Sequence, residues 1–366
     1  MLDRIIQRER EAALESILAH YRTTYHAYAV VVPNARFGLY AVAAELLRPG
    51  DRVVLSPVTC RTVVQALLSA GVVPIFADIE SATGNIDIDR LPDRLLQKAR
   101  AVVTTNLYGN PDRAVELMRA AENQGMLLIE DCAHVLRTSV AGGQIGGIGH
   151  VSVFSFKKYF DEPGGTVSLR ELSAARKVAD RVARETTAPE ASTERLRYCQ
   201  FALSRGTPGL VARLGWLCRR CGLQPGDATS TTRQGGPSPM PATASLARVA
   251  ALLARRDAIA AERMQAARAL IERCPLPVMT AARAGEVCYF KVPFSSSRRD
   301  EIVSRAGRRG IPTYFLYSPP MNVVFRAWAD PAHRLDTGAI DLWCRGILPI
   351  DPRYGREYLD IIQSLN

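Results

Sequence analysis

Short apolar runs alternate with longer amphipathic segments over the first 170 residues of the chain. "YAVVVPN" (28–34) is followed by "GLYAVAAELL" (38–47), and "RVVLSP" (52–57) is followed by "RTVVQALLSAG" (61–71). The short runs have the length and β-branched content of strands, whereas the longer segments repeat their apolar positions with helical spacing. Gly, Pro, Asn or Asp marks the junctions. This pattern predicts repeated β-α units.

Further apolar runs continue the pattern as "VVPIFADI", "AVVTTN", "MLLIED" and "VSVFSF". They are almost continuously apolar, which is typical of strands covered by helices on both faces. We therefore predict an α/β fold with a mainly parallel central sheet and helices on both faces. Ligands of such sheets lie outside the carboxyl ends of the strands. The candidate site loops are thus 33–38, 57–61, 106–109, 131–134 and 155–165.

The rest of the chain predicts a second, smaller unit. A charged amphipathic helix opens the sequence, and residues 226–245 are rich in Gly, Pro, Ser and Thr, as in a linker or mobile loop. A long helix over roughly 241–274 and a short α+β segment follow. We expect a large domain over 1–240 and a small C-terminal α+β domain over 246–366.

Composition places the chain among globular proteins. Of its 366 residues, 47% are hydrophobic and 23% charged, and no apolar run approaches the roughly 20 residues of a membrane helix. The N-terminus lacks a secretory signal pattern, and the eight cysteines are scattered, as in a reduced intracellular protein. A cytoplasmic location is expected. Cys218 and Cys221 have metal-type spacing but no second pair nearby, so we predict no metal site.

The formal net charge of +11 favours an anionic partner. A phosphorylated small molecule and a nucleic acid would both satisfy it, and charge alone does not choose between them. Much of the net charge lies in residues 170–220, where most charged side chains are expected on solvated helix faces. Nucleic acid is therefore not our expected partner.

Two residues at predicted strand ends could carry chemistry. Asp131 ends the run "MLLIED", where a buried carboxylate needs a partner such as a cationic ring nitrogen, although it could equally cap the next helix. Lys158 follows the next run, where a lysine that loses its proton can form an imine with an aldehyde, although such a lysine is often only a surface charge.

A phosphate site is the third element of this pattern. Ser155 and the loop "PNARFG" (33–38), which includes Arg36, could bind a phosphate through a hydroxyl, helix-terminal amides and a guanidinium. An aldehyde-seeking lysine, a carboxylate for a ring nitrogen and a phosphate site match the three groups that pyridoxal phosphate presents. The combination predicts that cofactor.

At this point the sequence resembles the DegT/StrS family of sugar aminotransferases, which are fold-type-I pyridoxal-phosphate enzymes. The segments "AVVTTNLYGNPDRAVELMRAAENQGMLLIEDCAH" (101–134) and "GHVSVFSFKKYFDEPGG" (149–165) carry the resemblance in the family order. It implies that Asp131 pairs with the pyridinium nitrogen, that His134 lies near the ring hydroxyl and that Ser155 contacts the phosphate. It also implies a homodimer with its sites at the subunit interface.

By the same resemblance, the enzyme would transfer an amino group from an amino acid to a keto or aldehyde acceptor. A nucleotide-linked sugar or a secondary-metabolite intermediate would be that acceptor, and Lys158 would act as general acid and base. Two alternatives stay open. One is elimination, dehydration or another pyridoxal-phosphate reaction of an amino-acid substrate, and the other is a non-catalytic relative that uses the fold for binding.

Further site residues follow from the resemblance. The family commonly has Gly-Thr where this chain has Ala35-Arg36, and an aromatic ring where it has Cys60. The remaining predicted contacts are Asn106 for the cofactor and Tyr108, Tyr314 and Tyr317 for the substrate.

The lysine block "SFKKYFDEPGG" leaves two candidates for the imine. A compact form of the family block places a basic residue at Lys157 and the imine at Lys158, which is our preferred assignment. Because neighbouring residues of a strand point to opposite faces, only one of the two lysines is expected to face the cofactor.

Overall fold

The computed structural model describes residues 1–206, 238–280, 284–313, 317–331 and 335–365. The predicted substrate residue Tyr314 and the pair Cys218 and Cys221 lie outside the described residues. Within the described ranges, none of the helices has the length and apolar character needed to cross a membrane.

The strands are numbered along the chain. They are β1 Tyr28–Val32, β2 Arg52–Leu55, β3 Val73–Phe76, β4 Ala99–Thr104, β5 Leu127–Cys132, β6 Thr138–Val140, β7 Gly143–Gln144, β8 Val151–Ser155, β9 Gly165–Leu169, β10 Thr186–Thr187, β11 Ser238–Pro239, β12 Ala284–Val287, β13 Val292–Ser295 and β14 Ile347–Ile350.

The helices are numbered in the same way. They are α1 Leu2–Tyr25, α2 Ala35–Leu46, α3 Arg61–Ser69, α4 Asp93–Leu96, α5 Ala114–Gln124, α6 Phe156–Phe160, α7 Leu172–Glu185, α8 Ala191–Gly206, α9 Thr243–Ala254, α10 Arg256–Arg273, α11 Arg299–Arg308, α12 Met321–Val324, α13 Thr337–Gly346 and α14 Gly355–Gln363. Short 3-10 turns lie at Ile88–Arg90, Leu107–Gly109 and Pro352–Tyr354.

The central sheet has seven strands in the order β1-β9-β8-β5-β4-β2-β3. Strands β3, β2, β4, β5 and β8 pair in parallel, whereas β9 pairs antiparallel with both β8 and β1. Alternate strand residues face two separate apolar cores. Helices α1, α5 and α9 close one core, and α2, α3 and α7 close the other. The predicted α/β fold with a mainly parallel, doubly covered sheet is confirmed.

The predicted long helix over 241–274 is two helices in the structure. Helix α9 ends at Ala254 and α10 begins at Arg256, with Arg255 at a non-helical φ of −104° and ψ of 11° between them. The buried guanidinium of Arg256 donates to the carbonyl oxygen of Leu136 at 2.9 Å. Helix α9 packs against α1 in the core of the large unit. The exact domain boundaries near residue 240 stay a prediction.

The predicted linker, 226–245, lies outside the described residues up to residue 237. From residue 238 it forms backbone contacts with the large unit. Strand β11 pairs in parallel with β10, and the backbone N–H of Thr243 donates to the carboxylate of Glu194 at 3.0 Å.

The C-terminal part of the chain has an apolar core of its own. Strands β13 and β14 pair antiparallel and form this core with α10, α11 and α14. Strand β12 instead pairs antiparallel with β6, which brings the following residues 288–291 to the carboxyl edge of the central sheet.

A close backbone approach explains the second glycine of the pair that follows the lysines. A Cβ atom on Gly165 would lie 2.3 Å from the carbonyl oxygen of Phe154. We expect Gly165→Ala to lower the free energy of unfolding by about 2–4 kcal/mol, because backbone must move to relieve the clash. Gly307→Ala is the matched control, since nothing lies within 4 Å of its added Cβ. Urea unfolding that gives equal stability for both variants would contradict the expectation.

Candidate active site

One pocket opens at the carboxyl edge of the central sheet, between the loops that follow β1, β2, β4, β5 and β8. Its volume is about 170 Å³. The residues that line it are Asn34, Ala35, Arg36, Leu39, Thr59, Cys60, Thr62, Val63, Thr105, Asp131, Ala133, His134, Val153, Ser155, Lys157, Lys158 and Tyr317. The structure therefore brings together most of the site residues predicted from the sequence.

Asp131 lies near the end of β5, beside a second acid of different role. Glu130 is fully buried, and its carboxylate accepts hydrogen bonds from three backbone N–H groups and from the Ser152 hydroxyl. Asp131 lines the pocket, and its Oδ1 accepts one hydrogen bond from the N–H of Ala133 at 3.0 Å. Strand alternation thus directs Glu130 into the fold and Asp131 into the site.

The electrostatic environment of Asp131 suits a cationic partner. Burial raises the pKa of Asp131 to about 6, against the opposing effects of the Ala133 N–H and the positive charge of Lys158. Burial disfavours the ionised form of the carboxylate, and a nearby positive charge stabilises that form. The site therefore favours a ligand that places a protonated nitrogen beside Asp131.

His134 is held as a neutral imidazole. Its Nδ1 accepts a hydrogen bond from the backbone N–H of Tyr108 at 3.2 Å, which assigns the ring proton to Nε2. Its ring stacks on Phe290, with centroids 4.8 Å apart and planes 15° apart. Burial, with the positive charges of Lys158 and Lys291, lowers the pKa of His134 well below its ordinary value. His134 is therefore a hydrogen-bond donor through Nε2 and not a cation.

The two lysines lie on a helix rather than on a strand. Strand β8 ends at Ser155, and the one-turn helix α6 carries both lysines. The expectation that they point to opposite faces of a strand therefore does not apply to them. Neighbouring residues of a helix point about 100° apart, which still separates the two side chains. The Lys157 side chain is 46% exposed, and its ammonium pairs with Asp161, with Nζ and Oδ1 2.7 Å apart.

Lys158 is the more buried of the pair. Burial lowers its pKa, and the neighbouring Lys157 lowers it further, whereas Cys60 and Asp131 oppose this effect. A lowered pKa increases the fraction of neutral amine, which is the nucleophilic form. These surroundings favour Lys158 over Lys157 as the reactive amine.

The opposite end of the pocket is polar and cationic. Asn34 caps helix α2, with its Oδ1 accepting from the N–H of Phe37 at 2.9 Å. Ala35 and Arg36 form the first turn of that helix, and Ser155 lies across from them at the end of β8. A helix N-terminus, a guanidinium and a hydroxyl together suit an anionic group.

Cys60 lines the pocket at the start of helix α3. Its Sγ lies 3.1 Å from the hydroxyl of Thr62. The position thus offers a small polarisable side chain to the pocket.

Asn106 and Tyr108 lie beside the pocket lining, and their predicted contacts with cofactor and substrate stay predictions. Both are fully buried, and neither is among the residues that line the pocket. The Asn106 amide donates to the carbonyl oxygen of Asp131 at 3.1 Å and its Oδ1 accepts from the N–H of Asp112 at 3.0 Å. In this structure Asn106 and Tyr108 support Asp131 and His134 from behind, because the chain turns through left-handed conformations at both residues.

Tyr317 lines the pocket, and its ring lies 5.9 Å from that of Tyr108. Its contact with a substrate stays a prediction. Thr105, which directly follows β4, also lines the pocket. The sequence analysis did not include it because the predicted site loop began at residue 106. Phe290 and the buried Lys291 were also missed, and the sequence carries no signal that places them here. Burial lowers the pKa of Lys291 to about 8.

Residues 2–160 match the model of the DegT/DnrJ/EryC1/StrS aminotransferase family. Over 155 residues, which are 41% of this chain, the sequence is 31% identical to the spore coat polysaccharide biosynthesis protein SpsC of Bacillus subtilis strain 168. It is 31% identical over 130 residues, 35% of the chain, to GDP-perosamine synthase of Vibrio cholerae. These matches span 40% and 35% of the two relatives' own lengths. The family resemblance is confirmed over this N-terminal part.

The fold resembles solved structures over nearly the whole chain. The structure of DesI in the presence of its TDP-sugar product gives a TM-score of 0.71 at 21% identity, covering 96% of this chain and 84% of that one. The structure of S. venezuelae DesV gives 0.69 at 19% identity, covering 100% of this chain and 97% of that one. This likeness establishes the fold beyond residue 160.

Proposed function

From the match of residues 2–160 to the DegT/DnrJ/EryC1/StrS aminotransferase family, we propose that this chain is a pyridoxal-phosphate-dependent aminotransferase of the cytoplasm. It would move an amino group from an amino acid to a keto or aldehyde acceptor, on a nucleotide-linked sugar or a secondary-metabolite intermediate. The observation that carries the proposal is the shared pocket of Lys158 and Asp131, whose charges influence each other's pKa.

The residues of the pocket fit the cofactor. Asp131 would hold the ring nitrogen, because its buried carboxylate gains a positive partner there. Arg36, Ser155 and the first turn of α2 would hold the phosphate. His134 would donate a hydrogen bond through Nε2 to the ring hydroxyl. The cofactor, when bound, supplies an aldehyde that reacts with amines and a ring that withdraws electrons from the substrate carbon.

Lys158 would have two tasks in this reaction. Its neutral amine would hold the cofactor through the aldehyde group, and the same nitrogen would hold and move a proton at the substrate carbon. Burial favours both tasks, since it lowers the pKa of the ammonium. Lys157 also lines the pocket, but it is more exposed and its ammonium pairs with Asp161.

The direct test uses the purified protein and added pyridoxal phosphate. We expect a visible absorbance band that borohydride fixes to Lys158 in peptide mapping, and conversion of the cofactor to its amine form by glutamate or another amino acid. An aminated acceptor would complete the evidence. Keto acid released without any aminated product would favour elimination or dehydration. A protein without the band would favour the binding relative.

We also propose a homodimer with the site near the subunit interface. Light scattering at several protein concentrations tests it, and a stable monomer with full turnover would contradict it.

Arg36 provides a test of the phosphate end. We expect Arg36→Ala to weaken the binding of pyridoxal phosphate by about tenfold, the effect of one lost charge-assisted hydrogen bond. The binding of pyridoxal, which has no phosphate, should be unchanged. Arg61→Ala is the matched control, because Arg61 is an exposed arginine in the first turn of neighbouring α3 that does not line the pocket. Equal losses for both ligands would show that Arg36 does not bind the phosphate.

A further inference from the structure

The single turn of helix α6 sends three consecutive side chains in different directions. Both lysines line the pocket, but the exposed Lys157 pairs with Asp161, whereas Lys158 is more buried. Tyr159 points into the protein, where its hydroxyl donates to the carbonyl oxygens of His134 at 2.9 Å and Cys288 at 3.1 Å. Because neighbouring residues of a helix have a fixed angular separation of about 100°, the direction of Tyr159 sets the direction of Lys158.

The ring of Tyr159 contacts the same structures as its hydroxyl. It packs edge-on against Phe290, with centroids 5.5 Å apart and planes 65° apart. Phe290 in turn stacks on the imidazole of His134. Tyr159 therefore joins the helix of Lys158 to His134 twice, once through a hydrogen bond to its carbonyl and once through Phe290.

A single arginine fixes the C-terminal side of this contact. Arg263, on helix α10, donates from Nε to the carbonyl oxygen of Tyr289 at 2.7 Å, and its Nη2 donates to that of Phe290. Its guanidinium carbon lies 5.4 Å from the centre of the Tyr159 ring, within the range of a cation–π interaction. Its Nη2 also lies 3.2 Å from Oδ1 of Asp351, at the end of β14.

We propose that Tyr159 is a positioning residue, which ties the lysine helix α6 to His134 and to residues 288–290 and so sets the orientation of Lys158 and His134 in the pocket. Residues 288–290 thereby take part in the site without lining the pocket. This inference rests on the proposed function for the role of Lys158, whereas its structural part concerns the cofactor-free protein alone.

Replacing Tyr159 by phenylalanine isolates the hydroxyl. The ring and its contacts with Phe290 and Arg263 stay, while two carbonyl oxygens lose their shared donor. Tyr289→Phe is the matched control. Its hydroxyl is also mostly buried and lies 2.6 Å from that of Thr280, in the same segment but away from Lys158. Each variant thus removes one tyrosine hydroxyl from the hydrogen bonds it makes, and we expect only Tyr159→Phe to loosen α6.

The first measurement uses cofactor-free protein. An amine-labelling reagent is applied across a pH series, and mass spectrometry follows Lys158, with Lys157 in the same peptide as internal reference. Cys60, Asp131 and Lys157 act on the pKa of Lys158, and its charge in turn acts on His134 and Lys291, which face it from other segments. In Tyr159→Phe we expect the labelling midpoint of Lys158 to rise by about half a pH unit, because a looser helix turn exposes the ammonium to water. The midpoint should not move in Tyr289→Phe.

The second measurement is the affinity for pyridoxal phosphate, which should fall by about tenfold in Tyr159→Phe and stay unchanged in Tyr289→Phe. Equal labelling midpoints and affinities in the two variants would overturn the proposal. If Tyr159→Phe does not fold, Arg263→Lys, which keeps the charge but loses the two-pronged contact with the carbonyls, should show the same upward shift. A wild-type protein that binds no cofactor would overturn the proposed function, and the labelling experiment would still decide the role of Tyr159.

Discussion

Lys158→Ala is expected to lower aminotransferase turnover by at least about 1,000-fold and to abolish covalent attachment of pyridoxal phosphate. The variant removes both the attaching amine and the group that carries the proton. Lys157→Ala is the matched control, because its ammonium pairs with Asp161 at the surface. It should retain turnover within a few-fold of the wild type.

Single-turnover absorbance measurements with the amino donor separate the two variants. Borohydride reduction followed by peptide mapping reports the attachment site independently of the substrate. Full turnover and a fixed label at Lys157 in Lys158→Ala would show that the assignment of the two lysines is reversed.

Asp131→Asn is expected to lower turnover by about 100-fold or more, because an amide cannot keep the ring nitrogen protonated in a buried site. The substitution preserves the shape of the side chain, and the amide oxygen can still accept from the N–H of Ala133. Asp112→Asn is the control for the loss of a buried acid. Asp112 accepts hydrogen bonds from the N–H groups of Thr105 and Arg113 and does not line the pocket. Its effect on turnover should stay below about tenfold.

Asp131→Asn is expected to lower turnover but to increase the stability of the cofactor-free protein. The pKa of Asp131 is raised from 3.8 to about 6, so the native state holds its proton more tightly than the unfolded state. The contribution of Asp131 to the free energy of unfolding therefore falls as the pH rises from about 4 to 6. Asp131→Asn removes this loss and should melt at a higher temperature than the wild type above pH 6, but not at pH 4. Equal melting temperatures at both pH values would contradict the buried carboxylate.

The central sheet was predictable because its information is local. Continuous apolar runs ended by Gly, Pro, Asn or Asp predicted the strands, and strand ends predicted the carboxyl edge where the pocket lies. Asp131 and Ser155 followed from this, since each lies at the end of a strand whose direction the pattern had set. Their presence in one pocket required only the rule that parallel strands end at the same edge.

Tertiary structure decided the rest. Adjacent lysines have the same local sequence signal, and only the folding of α6 as a helix turn makes Lys158 the more buried of the two and pairs Lys157 with Asp161. Asn106 and Tyr108 belong to a predicted site loop, but left-handed backbone turns bury both behind Asp131 and His134. Phe290 and Arg263 reach His134 and Tyr159 from more than 100 positions further along the chain, because strand β12 pairs with β6. Periodicity and turn chemistry act over a few residues, and they therefore determined the sheet and its edge. Contacts between distant segments exist only once the chain has packed. These long-range contacts fix which side chains face the site.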